Sequence, residues 1–186
     1  TRSLLTWMIS ACLFSNAQSV NAIMGARVAG AGYVSTIIAD ESSLLNNVGA
    51  MAQITDRSVF VAYGIETLLP GANRPACALL MPLKLGTAGA GFFRFGDDLY
   101  NEQLVSLGWS HKLGLTSIGV KVNCVQYGAL GFGTKTTLSM GFGGLTQITP
   151  EISVGAYVVN LAMGNLTTGE RLPTLLLTGI GLKPND

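Results

Sequence analysis

The sequence predicts an all-β protein: an antiparallel transmembrane β-barrel, with about eight strands between residues 56 and 186 and a small helical plug ahead of them. Three observations predict it. Charged residues make up 11% of the 186 positions, against ~25% in ordinary soluble domains, and the mean hydropathy is +0.45, so water does not cover this surface in the usual way. Beyond the first 17 residues no unbroken apolar run approaches the ~20 residues a membrane-spanning helix requires. Successive later segments instead alternate with period two, apolar on one face and small or polar on the other, and the chain holds 24 glycines. An apolar chain without such a helix can satisfy its backbone in lipid only by pairing strand with strand.

Residues 1–17 read as an export signal. Arg2 is the charged opening, Leu4 to Phe14 the apolar core, and Ser15-Asn16-Ala17 the small residues before cleavage, so the mature chain begins at Gln18. The apolar run is too short to anchor the chain as a first transmembrane helix. Ile9-Ser10-Ala11-Cys12 looks like a lipidation site, but Leu13 and Phe14 continue the apolar run past Cys12, which favours cleavage after Ala17. Residues 18–55 form the predicted plug. Within it Gly25, Ala26, Ala29, Gly30, Ala31 and Gly32 surround Arg27, and side chains this small let a backbone press close to its surroundings. Asp40-Glu41-Ser42-Ser43 then supplies capping residues and negative charge for a short helix through Leu44 and Leu45.

From Asp56 the strands begin. Val59, Val61, Tyr63 and Ile65 share one face, and Ser58, Ala62, Gly64 and Glu66 the other. Pro70, Gly71 and Asn73 mark a loop. A second strand is expected over 76–85, interrupted by Pro82, and a third over 87–95, turned round by Gly96-Asp97-Asp98. The clearest alternation follows. Val105, Leu107 and Trp109 oppose Ser106, Gly108 and Ser110; Ile118, Val120, Val122 and Cys124 oppose Ser117, Gly119, Lys121 and Asn123. Leu138, Met140 and Phe142 oppose Ser139, Gly141 and Gly143; Ile152, Val154, Ala156 and Val158 oppose Ser153, Gly155 and Tyr157. An eighth strand over 172–182 has little facial bias.

Alternation alone does not separate a barrel with lipid outside from a soluble periplasmic β-sandwich whose apolar faces meet. Low charge and the export signal favour the barrel, as do Tyr100, Trp109 and Tyr127 near strand ends, where a lipid-interface girdle would place them. Lys121, centred on a polar face, fits a wet lumen or an acidic partner on the plug.

Gly25, Arg27, Gly30 and Gly32, followed by Ala39, Asp40, Glu41, Ser42 and Ser43, resemble the N-terminal signature of the PorV/PorQ-like outer-membrane proteins, relatives of the FadL fatty-acid transporter barrels. Asn46-Asn47-Val48-Gly49 keeps the first Asn and the Gly of the family's N-P-A-G element, with Asn47 in place of Pro. The resemblance implies a larger barrel of about fourteen strands, with room for a plug that the filled interior of an eight-stranded barrel lacks. It also implies an outer-membrane location and an accessory role in type IX-like secretion, with exported proteins or secretion subunits as partners. The FadL branch implies instead a channel for a hydrophobic small molecule. The chain opens without Met and stops at Lys183-Pro184-Asn185-Asp186, a turn rather than a strand with an aromatic end, so a sequence truncated at both ends is expected.

Other chemistry finds little support. The single histidine, His111, stands at a strand end with no nucleophile pattern around it, and no catalytic residue is assigned. Cys77 and Cys124 lack ligand-spaced partners for a metal, and a disulfide between them stays open. Glycine-rich runs at 128–133 and 141–144 lack the Lys-Ser/Thr ending of a phosphate loop, and no cofactor is assigned. Adjacent Asp40 and Glu41 diverge and make a poor acid/base pair. A net charge of +1 gives no basic stripe for nucleic acid. The plug and lumen candidates are Arg27, Asp40, Glu41, Asn46, Glu66 and Lys121, with Arg27 expected to pair with Asp40 or Glu66.

Overall fold

The computed structural model describes residues 22–65, 67, 71–160 and 174–183. Eight strands, β1 (Ser58–Gly64), β2 (Arg74–Leu83), β3 (Gly86–Gly96), β4 (Tyr100–Leu113), β5 (Thr116–Ala129), β6 (Gly133–Gln147), β7 (Ile152–Val159) and β8 (Leu175–Leu182), form one antiparallel sheet in chain order. Tight turns suffice to join most antiparallel neighbours, and Gly96 (φ 98°) and Gly114 (φ 62°) supply the positive φ that two of them use. Pro82 sits one residue from the end of β2, opposite Thr87, where a missing N–H disturbs the ladder least. Among the described residues β1 and β8 do not pair with each other, so the sheet is open.

The register stacks like faces across strands. Ser106, Asn123 and Ser139 lie side by side across β4, β5 and β6, and so do Gly108, Lys121 and Gly141. Leu107, Val122 and Met140 form the matching row on the other side. In β8 the face that sequence leaves undecided is set by Gly179 and Gly181, which lie beneath Thr36 and Ile37, while Ile180 and Leu182 point outward and are exposed.

Residues 22–56 cross the polar, inner face of this sheet. They carry one short helix, α1 (Ala26–Gly30), and a 3-10 helix (Val48–Gln53) that lies over β4, β5 and β6. The helix expected after Asp40 is not there: residues 41–45 form turns. Leu45 N donates to Ser42 O, and the Leu44 and Leu45 carbonyls are taken by Lys121 from the sheet, so the helical ladder does not propagate. The core lies between insert and sheet. Ala22, Met24 and Leu45 pack with Ala76, Phe93, Leu104 and Val125; Leu44, Val48 and Met51 pack with Ala78, Leu80 and Tyr157.

Of the expected aromatic girdle, Trp109 stands on the outer face, but Tyr127 is on the inner face, packed against the Phe93 cluster. Tyr100 directs its hydroxyl to the Glu102 carboxylate. The export signal lies outside the described residues.

Candidate functional site

The site that the fold builds is the seat of the insert on β4, β5 and β6. Its floor is made of residues with little or no side chain. A Cβ placed on Gly119 would lie 2.6 Å from the Val48 carbonyl oxygen, and one on Gly49 would lie 2.5 Å from that of Gly143. Backbone therefore rests on backbone, an approach only glycine allows. Beyond the Lys121 row from these glycines runs a polar ladder: Ser106 Oγ donates to Asn123 Oδ1 at 2.7 Å, and Asn123 Nδ2 to Ser139 Oγ at 3.1 Å. All three side chains are buried, and mutual bonding meets the cost of removing them from water.

Lys121 is the cation of the seat. Its Nζ donates to Leu44 O at 2.9 Å and Leu45 O at 3.2 Å, and lies 5.2 Å from the centroid of the Tyr157 ring. The side chain is 3% exposed, and no carboxylate among the described residues comes within 4.0 Å of it. A buried ammonium satisfied by peptide carbonyls rather than by an acid is held only while the insert is in place.

Two asparagines lock the insert. Asn46 accepts from Met24 N at 3.0 Å and donates to Met24 O at 2.8 Å and Ser42 Oγ at 2.7 Å, stitching the insert to itself. Asn47 stitches it outward: its Nδ2 donates to Thr36 O at 2.6 Å and to Gly144 O on β6 at 3.0 Å, while its Oδ1 accepts from Gly49 N at 3.1 Å. Asn47 was not among the sequence candidates. Its signal was a polar residue where the resembled family has Pro, a change that adds the donors and acceptor used here.

The remaining candidates divide. Asp40 is buried and caps its own turn, its Oδ1 accepting from Ser42 N at 2.9 Å while its N–H donates to Ser43 Oγ at 2.9 Å. Glu41 is exposed. Arg27 is exposed on α1 and forms no ion pair with Asp40; Glu66 lies outside the described residues. The small and polar face of the strands is packed under the insert, with Ser106 and Ser117 fully buried. Cys77 on β2 and Cys124 on β5 are free, exposed and on strands that are not neighbours. His111 Nδ1 meets Leu85 O at 3.0 Å at an exposed strand end.

A second concavity lies between α1 and β1. It is an open groove of about 280 Å3 lined largely by Ile23, Met24, Ala29, Tyr33, Tyr63 and Ile65. No family model, no curated protein and no solved structure matches the chain.

Proposed function

We propose that this chain is an outer-membrane β-barrel protein whose strands meet lipid with their apolar face and whose residues 22–56 are the lumenal plug. One observation carries the reading: the sheet buries its polar face and exposes its apolar one. Leu107 on β4 is 63% exposed and Leu138 on β6 52%, whereas Ser106, next to Leu107 on β4, and Lys121, on the intervening β5, are at 0% and 3%. Lipid is the solvent in which such a distribution lowers the free energy. A sandwich would cover the apolar face with a second sheet, and among the described residues there is one sheet. At 14, 14 and 15 residues, β4, β5 and β6 exceed the ~9 to 11 that a tilted strand needs to cross a bilayer.

The resemblance at Gly25 to Ser43 supports a role in protein secretion, as an accessory barrel that receives or holds exported proteins. A second reading, passage of a hydrophobic small molecule with a polar end, is favoured by the groove between α1 and β1, whose aliphatic and aromatic walls are joined by Arg74. Membrane fractionation tests the common part: the mature protein should sediment with outer membranes and migrate faster in detergent gels before heating than after. Recovery as a soluble periplasmic monomer overturns it. Crosslinking from a probe at Tyr33 then separates the two roles, exported polypeptide supporting the first and a photoreactive fatty acid the second.

A further inference from the structure

We propose that a small cavity behind the seat binds one monovalent anion of about the size of chloride, held by the Lys121 ammonium and the Tyr157 hydroxyl. The cavity lies between Leu45 and Asn46 of the insert and Leu104, Lys121, Asn123 and Tyr157 of the sheet. It measures about 20 Å3, room for a single water-sized or chloride-sized occupant and for no polyatomic organic ion.

Its polarity is one-sided. Among the described residues none that lines it is Asp or Glu. Lys121 has three N–H groups, and the Leu44 and Leu45 carbonyls take two of them. The Tyr157 hydroxyl sits over Gly141, the cross-strand neighbour of Lys121; it is buried and makes no hydrogen bond, on a side chain that is 3% exposed. Two of the lining amides are spent, Asn123 on Ser106 and Ser139, Asn46 on Met24 and Ser42, and Ser35 and Asn160 complete the polar lining. Lys121 and Tyr157 thus turn an ammonium and two donors toward the cavity with no acid beside them among the described residues. A water would accept from both but leave the ammonium uncompensated and its own protons poorly met. An anion accepts from both and neutralises the charge. The site does not depend on which solvent meets the outer face.

The test is thermal unfolding of the detergent-purified protein after sodium gluconate replaces sodium chloride at constant ionic strength, since gluconate is too large for the cavity. Chloride should raise the midpoint saturably in the wild type. Tyr157→Phe, which keeps the ring and removes the unbonded hydroxyl, should weaken the chloride response tenfold or more, and Lys121→Met should abolish it. Should Lys121→Met fail to assemble, Tyr157→Phe alone decides. Equal wild-type midpoints in the two salts, or a Tyr157→Phe response equal to wild type, overturns the site.

Discussion

The two faces of β5 differ more from each other than either does from the matching face of a neighbouring strand. Ile118, Val120 and Val122 are 37%, 42% and 41% exposed, while the alternating Ser117, Lys121 and Asn123 are at 0%, 3% and 2%. In water this arrangement would lose twice, once by leaving aliphatic surface exposed at ~25 cal/mol per Å2 and again by desolvating an ammonium and an amide. The difference teaches that the polar face is an interior built for the insert, and that the outer face is the apolar, uncovered one, which the proposed reading gives to lipid.

The largest expected effect breaks the outer half of the comparison. Val120→Arg should cost ~2 to 4 kcal/mol in a bilayer and reduce the heat-modifiable, folded band in detergent gels. Assembly at wild-type levels would mean that this face does not meet lipid. The inner half is broken next door. Gly119→Val puts methyl groups where the Val48 carbonyl rests, an overpacking worth ~1 to 3 kcal/mol. Its expected phenotype is different in kind: strands assemble, but residues 22–56 become accessible to protease. If Gly119→Val is as resistant as wild type, the insert is not seated as described.

Asn47→Ala sharpens the inner face further. It removes the donors to Thr36 and Gly144 and the acceptor for Gly49 N, leaving buried peptide groups unpaired at ~1 to 3 kcal/mol. Amide exchange should accelerate at Gly49 and Ala50 while β5 keeps its protection. Uniform acceleration across sheet and insert would show instead that the two unfold together.

Much of the sheet was legible in sequence, because period two needs only local residues to declare two faces, as in Val105 to Ser110 and Ser117 to Cys124. What each face meets was less so. Gly119 and Gly143 read only as small members of the polar face, since the backbone that needs their missing side chains, at Val48 and Gly49, lies some seventy or more positions earlier. The expected pairing of Arg27 with Asp40 failed for the same reason, whereas Lys121 was already read on the polar face and Glu66 lies outside the described residues. Arg27 is near Asp40 in sequence, but the fold leaves it exposed and brings Lys121 to Leu44 across 77 positions. Asp40 capping its own turn was readable, because such bonds span two or three residues.

The smallest expected effect lies at the rim, where neither face is buried. Asp97, in the turn from β3 to β4, accepts from the backbone N–H of Tyr100 at 3.1 Å and of Leu99 at 2.8 Å. These donors, that of Tyr100 foremost and then Leu99, favour the ionised carboxylate and hold its pKa below the ordinary 3.8. A folded-state pKa below the unfolded one means that the turn gains stability above the ordinary carboxylate range and loses it as pH falls through the lowered value. The group is at the solvent-open rim and only partly covered, so water and salt screen the effect and the sheet should not unfold with it. Amide exchange at Leu99 and Tyr100 in detergent micelles, corrected for the intrinsic pH dependence of exchange, should lose protection as the solution is acidified below about pH 4. Asp97→Asn keeps an acceptor oxygen but cannot ionise, so its protection should be lower at neutral pH and flat across the same range. An acid-induced loss that persists in Asp97→Asn would assign the titration to another group, and one that spreads along β4 to Ser106 would mean that the rim and the seat are a single cooperative unit.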